Sequence, residues 1–162
     1  MIKLGEVIEG SKKLTQIFGR WPSFHDAEVL DLFLWRGDVD PEHGRYIFPV
    51  LTTTIHLWEM TRELDTHGFF VLRDHTLATL RFHEVHDLRM EGFNHQNAIF
   101  DLSINKLERM KPPSSYFAVE IEPSFGVGAS FTCLRIEVRD AVLCGANGKV
   151  DQPAIDPTPK IQ

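Results

Sequence analysis

The segment Trp21–Val29 has the residue types that could do chemistry. It places His25 beside Asp26, with Glu28 two residues further on. A histidine next to carboxylates can form an acid/base pair, supply part of a metal site, or pin a loop through hydrogen bonds. If the segment is extended, Asp26 and Glu28 project from one face, where close carboxylates raise each other's pKa. The residue types favour a structural role, in which Asp26 holds the turn, over partner contact and over catalysis.

A second candidate is the amide-rich run that follows Gly92. It contains, in order, Phe93, Asn94, His95, Gln96 and Asn97. Asn and Gln side chains bond to nearby backbone groups in tight turns, and glycine supplies positive φ. The run therefore predicts a structured turn between two strands. The functional alternative is a polar recognition loop that presents its amides to a partner or a small ligand.

Eight histidines raise the question of a metal site. His83 and His86 are three residues apart, which sends them to opposite faces of a strand, and His-Glu-x-His is not the helical zinc-protease motif. His56, His83 and His95 would have to converge through an unknown register. We therefore expect no metal and no cofactor.

The sequence offers no support for nucleophilic or dinucleotide chemistry. Neither Cys133 nor Cys144 stands beside a histidine, and no Gly-x-Ser-x-Gly elbow occurs. Both cysteines are expected to be reduced thiols. Gly126 and Gly128 lack the third glycine and the following helix of a phosphate-binding loop, so a bulge or tight turn is the better interpretation. These patterns predict a protein that is not an enzyme.

The N-terminal region has the period of a helix. Apolar side chains recur at spacings of three and four up to Phe18, with Gly19 at the position of a left-handed C-terminal cap. Gly10 interrupts the pattern, so a shorter helix that begins after Ser11 is the alternative. Beyond Ala27 the period becomes that of strands.

Strands account for most of the remaining chain. Segment 29–35 is nearly all apolar and is expected to be a strand that is covered on both faces or central in its sheet. Segment 131–138 is expected to be one strand with Leu134 on its apolar face. The other alternating segments lie at 48–60, 77–82, 87–91, 100–104 and 117–121. The prediction is an α+β, mainly β fold: an antiparallel sheet, sandwich or open barrel of about 7–8 strands with an N-terminal helix packed on it.

Length, composition and charge limit the class. The 162 residues fit a single β-rich domain, 1–145, followed by a Pro-rich tail, 146–162, that is expected to be disordered. The net charge of −6 argues against nucleic acid as a partner. It suits solubility, and it can also steer a basic protein partner. The chain has no apolar run long enough for a bilayer and no signal peptide, so we expect a cytoplasmic protein without membrane contact.

Several segments together resemble the Immunity protein 50 family of bacterial polymorphic toxin systems. The resemblance covers roughly residues 6 to 140 and is carried by Ile17–Gly19, Trp21–Val29, Val50–Thr53, Leu80–Phe82 and Glu91–Asn97. Its two longer motifs, in this order and at this separation, are fairly specific. The family's members are inferred to be small cytoplasmic antidotes that bind and neutralise a toxin, so the resemblance implies a cognate toxin domain as the partner.

The candidate partner-binding residues are those of the two motifs. They are His25, Asp26, Glu28, Phe93, Asn94, His95, Gln96 and Asn97. Many delivered toxins are nucleases with basic clefts, to which an acidic inhibitor would be attracted. Two alternatives stay open: a small-ligand-binding β domain, and a hydrolase that uses His25, Asp26 and Glu28.

Overall fold

The computed structural model describes residues 3–37, 39–40, 42, 45–46, 48–111 and 115–150. Two short helices come first: α1 (Leu4–Val7) and α2 (Lys12–Phe18). The strands follow in chain order: β1 (Glu28–Trp35), β2 (Val39–Asp40), β3 (Arg45–Tyr46), β4 (Val50–Leu64), β5 (Phe70–His83), β6 (His86–Glu91), β7 (Ile99–Glu108), β8 (Ser115–Pro123), β9 (Gly128–Cys133) and β10 (Arg135–Leu143).

Eight of these strands build two antiparallel sheets. The first sheet has the order β1-β4-β5-β10 and the second the order β6-β9-β8-β7, while β2 and β3 pair only with each other. The mainly β fold with an N-terminal helix on the sheet is confirmed, since α2 contacts β10 and β5. Within the described ranges, no helix is long and apolar enough to cross a bilayer.

One corner joins the two sheets through a pair of continuous bent strands. Only Glu84 and Val85 separate β5 from β6, and only Leu134 separates β9 from β10. Because β5 pairs with β10 and β6 pairs with β9, both chain segments change sheet at the same place. Leu134 N–H donates to His83 O at 2.9 Å, which fixes the corner. The prediction of one strand from 131 to 138 is therefore wrong.

The two sheets share one hydrophobic core. Alternate side chains of β4 and β5 are buried on the face that also carries Ile136 and Val138 of β10. The core includes Phe117, Val119 and Ile121 of the second sheet, and Leu14 and Phe18 of α2. Phe82 of β5 meets Phe131 of β9 edge to face, with ring centroids 4.9 Å apart. Contacts of this kind stabilise the pairing of the sheets beyond simple burial.

Three local predictions are resolved by the structure. The helix is the shorter alternative, and Gly19 ends it with φ 75°. β1 is an edge strand with most of its side chains exposed, so the expectation of cover on both faces is wrong. In β7, the register shifts between Ile99 and Asp101, and this bulge turns Phe100 outward instead of into the core.

The C-terminal boundary is described only in part. After β10 the chain makes a turn in which Gly145 N–H donates to Lys149 O at 2.9 Å. Gly148 lies against the ring of His56 on β4. Residues 151–162 of the predicted tail lie outside the described residues.

The shared core gives a direct stability prediction. Replacing Phe82 by Ala removes a ring that is almost completely buried and should lower the free energy of unfolding by about 3–5 kcal/mol. Phe33→Ala is the matched control, because the Phe33 side chain is 66% exposed and its loss should change stability by no more than about 0.5 kcal/mol. Urea unfolding followed by tryptophan fluorescence measures both. Equal losses would contradict a core shared by the two sheets.

Candidate partner-binding site

The two sequence motifs meet in space, although about seventy residues separate them. Val29 N–H donates to Asn97 O at 2.9 Å, and Ile99 N–H donates to Ala27 O at 2.8 Å. Asp26 N–H donates to Ile99 O at 2.9 Å. These bonds join the start of β1 in the first sheet to the start of β7 in the second. We call this junction, residues 23–27, 92–100 and 124–126, the tip.

Asn97 is the centre of the tip. Its side chain is buried, with 3% of the residue exposed. Its Oδ1 accepts from Asn94 N–H at 3.0 Å and Val127 N–H at 3.1 Å, while its Nδ2 donates to Asn94 O at 2.7 Å and Val29 O at 3.3 Å. All four bonding positions of the amide are therefore used, which makes it a rigid joint between three chain segments.

A glycine allows this joint to close. Gly126 has φ +75°, and a Cβ placed there would lie 2.2 Å from Gln96 O and 2.4 Å from Asn97 Oδ1. Any side chain would push the amide out of place. The interpretation of the Gly126–Gly128 pair as a tight turn is thus borne out by its geometry.

His25 and Asp26 lie at the surface of the tip. His25 Nδ1 is 2.7 Å from Phe100 O, and because a carbonyl only accepts, Nδ1 carries the proton. His25 Nε2 is 3.6 Å from Asp26 Oδ1, and both side chains are about half exposed. Asp26 has φ 66° and therefore sits in a turn rather than in a strand. This arrangement fixes the histidine ring, and it presents an open His–Asp pair to solvent.

Glu28 belongs to a different surface. It begins β1 and lies opposite His56 of β4 in the first sheet. Its charge raises the pKa of His56, in opposition to larger effects that lower it. Since Asp26 lies outside the strand, the expectation that Asp26 and Glu28 share one strand face is wrong. The structure therefore separates Glu28 from the His25–Asp26 pair.

The turn 93–97 divides into one buried and four exposed residues. Asn97 is buried, whereas Phe93, Asn94, His95 and Gln96 are exposed. Asn94 Oδ1 accepts from Gln96 N–H at 2.8 Å, so the turn is structured, as the amides predict. The exposed part of the turn is available to a partner, and the buried amide supports it.

Two further aromatic residues of the tip lie outside the two sequence motifs. Phe100 is 52% exposed and stacks edge to face on His25, with ring centroids 5.4 Å apart. Phe125 is 62% exposed, and its N–H donates to Ala98 O at 3.2 Å. With Phe93, which is 50% exposed, three phenylalanines stand on segments that are bonded to one another. The available signal for Phe125 was its place between Ser124 and Gly126, where a turn exposes side chains.

His56, His75 and His83 make contacts away from the tip. His56 Nε2 is 3.1 Å from His75 Nδ1, and His83 Nε2 is 2.9 Å from Glu137 Oε2. In the part of the chain that the structure describes, no three His, Cys, Asp or Glu side chains are arranged to hold a metal ion. Burial raises the pKa of the Cys133 thiol to about 12, so it stays protonated and is a poor nucleophile.

Comparison with known proteins decides the family. The model of the family described as Immunity protein 50 matches residues 10–142. The chain belongs to the Immunity protein 50 family. The match spans both motifs of the tip and all eight strands of the two sheets up to Val142. Searches of curated proteins and of solved structures found no match.

The two motifs of the tip form one structural unit. In this Immunity protein 50 chain, the motif Trp21–Val29 and the motif Glu91–Asn97 supply the two sides of the tip, with Asn97 bonded across it. The structure therefore gives the motifs an architectural role.

The hydrogen bonds of the Asn97 amide give a stability prediction. Asn97→Asp keeps the shape but replaces two donors by an acceptor, so Val29 O and Asn94 O lose their partners. We expect a loss of about 2–4 kcal/mol in the free energy of unfolding, because a buried charge is left facing carbonyl oxygens. Asn105→Asp, at an exposed position of β7, is the matched control and should change stability by less than about 0.5 kcal/mol. Similar losses in chemical denaturation would contradict the joint.

His56 gives a pH prediction. Burial lowers its pKa from the ordinary 6.5, and neighbouring His75 lowers it further, while Glu28 acts in the opposite direction. The folded state thus holds fewer protons than the unfolded state, so stability is present above pH 6.5 and falls as the pH drops below it. In His56→Gln, the free energy of unfolding should decrease less between about pH 7.5 and 5.5 than it does in the unmodified chain. His67→Gln, at an exposed turn, serves as control, and equal slopes in all three proteins would refute the assignment.

Proposed function

We propose that this chain binds the toxin domain of a bacterial polymorphic toxin system in the cytoplasm and neutralises it by stoichiometric occlusion, without catalysis. The observation that carries the proposal is the family match over residues 10–142. An inhibitor of this kind needs a rigid surface that is formed before the partner arrives, since pre-organisation lowers the entropy cost of binding. The tip has this property because its loops are bonded to both sheets.

The exposed tip residues are the proposed contact surface. Aromatic residues contribute much of the binding energy at protein interfaces, and charged groups around them favour the correct partner. Phe93, Phe100 and Phe125 supply the aromatic part, and His25 and Asp26 supply polar groups beside it. Asn94, His95 and Gln96 complete the rim. Asn97 supports the surface from below, and Glu28 lies outside it.

The net charge indicates the chemistry of the toxin. A chain with a net charge of −6 attracts a positively charged protein surface over long range. Toxins that cleave nucleic acid carry such surfaces because they bind phosphates. A nuclease domain is therefore the proposed target.

Two rival functions have less support. A hydrolase centred on His25, Asp26 and Glu28 would need the three groups to converge, whereas Glu28 lies beside His56 on the first sheet. A small-ligand module would need an enclosed cavity of suitable size. The two larger depressions, of about 660 Å³ and about 450 Å³, are open to solvent, and the recess at the corner, which Glu84, His86 and Arg109 help to line, measures about 20 Å³ and is large enough only for water.

The test is co-expression with the toxin domain encoded beside this gene. We expect rescue of growth, and a one-to-one complex on size-exclusion chromatography. Phe93→Ser with Phe125→Ser should weaken the complex by about 100-fold or more, as expected for loss of two aromatic anchors. The matched control is Phe33→Ser with Phe69→Ser, which removes exposed rings from β1 and from the turn between β4 and β5. It should leave the affinity within about threefold of that of the unmodified chain.

Two outcomes would contradict parts of this proposal. No complex and no rescue with the unmodified chain would remove the immunity function for that toxin. A complex that survives the tip variants but is lost in the control variants would keep the function and move the contact surface away from the tip.

A further inference from the structure

The outward face of the second sheet forms a groove next to the tip. Side chains in its centre are small: Ser103, Ala118, Gly128, Ser130 and Thr132. Ser103 and Ser130 lie on either side of Glu120, and Ala118 lies opposite Thr132, so the short side chains leave much of the backbone on this face uncovered. Two open depressions follow from this, of about 660 Å³ and about 450 Å³. Among the described residues, no helix or strand packs over this face.

Longer charged side chains stand along the groove. Its carboxylates are those of Asp87, Glu91, Asp101, Glu120 and Glu122. Arg89 lies among them, and Arg109 lies over the ring of Tyr116 near the corner. None of these five carboxylates has an ion-pair partner among the described residues. Like charges so close together repel each other, and a cationic partner would relieve that repulsion.

Several carboxylates of the first sheet form ion pairs with basic side chains. Glu59 pairs with Arg20 at 2.9 Å, and Glu63 pairs with Arg73 at 2.6 Å. Burial alone would raise the pKa of Glu137, but the hydrogen bond from His83 and the charges of Arg139 and Arg81 lower it. Asp31, Asp74 and Asp140 of the first sheet have no ion pair among the described residues, so what distinguishes the second sheet is that its five unpaired carboxylates lie along one grooved face.

The groove continues into the tip. Gly92 and Gly126 line its larger depression, and they are the immediate neighbours of Phe93 and Phe125. An acidic groove thus ends at exposed aromatic rings. Interfaces between proteins have this composition, with aromatic anchors at the centre and polar groups at the rim.

We propose that the grooved face of the second sheet is a docking surface for a convex, positively charged segment of a protein, a helix or loop rich in Lys and Arg, whose apolar end rests on the tip. The proposal rests on the proposed function and makes it more specific: the segment belongs to the toxin domain. Nucleic acid and anionic membrane carry charge of the wrong sign for this face. The small residues let the segment approach the sheet, and the carboxylates of β8 and of the flanking strands β6 and β7 receive its cations.

The first experiment uses the toxin domain encoded beside this gene and isothermal titration calorimetry. Glu120→Lys with Glu122→Lys should weaken binding by about 100-fold, since two cations are placed against cations. Glu120→Gln with Glu122→Gln should weaken it by about tenfold. Glu6→Lys with Glu63→Lys changes the net charge equally on exposed positions elsewhere and should stay within about threefold. Thermal unfolding of each variant verifies that the fold is retained.

The second experiment needs no toxin. Decalysine is added to the ¹⁵N-labelled chain at low salt, and amide shifts are followed by NMR. The largest shifts should fall on Ser103, Ala118 and Ser130, and they should vanish in the Glu120→Lys/Glu122→Lys variant and at about 0.5 M NaCl. Decaglutamate is the control peptide and should cause no such shifts.

The outcomes separate the two claims. If the toxin binds the Lys variants of the groove as tightly as the unmodified chain, the docking surface is wrong and the immunity function stands. If the unmodified chain fails to bind the toxin, the proposed function is wrong, and the decalysine map alone decides whether the groove attracts cationic segments. Shifts centred on other acidic residues, or spread evenly over the surface, would overturn the groove proposal.

Discussion

The structure depends on the buried carboxamide of Asn97. Two sheets that share one core can slide or open unless something fixes the place where their edge strands approach each other. Here β1 and β7 are linked by backbone hydrogen bonds on either side of Asn97, and its amide adds bonds to Val29 O and Val127 N–H. Because every donor and acceptor of the amide is satisfied, its burial stabilises one arrangement and penalises others. The corner at Leu134 holds the opposite side of the molecule, where two bent strands pass between the sheets.

This constraint explains why residues with the chemistry of an active site have a different role. His25 is held by Phe100 O, Asp26 adopts a left-handed turn, and Glu28 begins the neighbouring strand. Each of the three is positioned by the junction of the sheets. The same junction exposes three phenylalanine rings and lies at the end of the acidic groove. It therefore both connects the two sheets and forms part of the surface that we assign to a partner.

Much of this fold could be predicted from the sequence, because strict alternation is a local signal. β4 was predicted from Leu51, Thr53, Ile55 and Leu57, which are all buried on one face. The corner at Leu134 could not be predicted, since one apolar residue between two alternating stretches does not reveal a change of sheet. The outward turn of Phe100 has the same origin: a bulge inserts one residue, and period two then assigns the wrong face. Whether a strand lies at the edge of a sheet depends on pairing with distant segments. For this reason the apolar sequence of β1 gave the wrong expectation that the strand is covered.

The candidate site was predictable as two motifs but not as a surface. The amides of 93–97 indicated a structured turn, and that turn was found. Its contact with β1 depends on pairing over about seventy residues, and the groove depends on register across β6 to β9, neither of which leaves a local pattern.

The most direct test of the tip as contact surface is hydroxyl-radical footprinting of the chain alone and in complex with its toxin domain. We expect protection of Phe93, Phe100 and Phe125, with Phe33 and Phe69 unchanged. Protection of Phe33 and Phe69 with the tip still reactive would contradict this expectation.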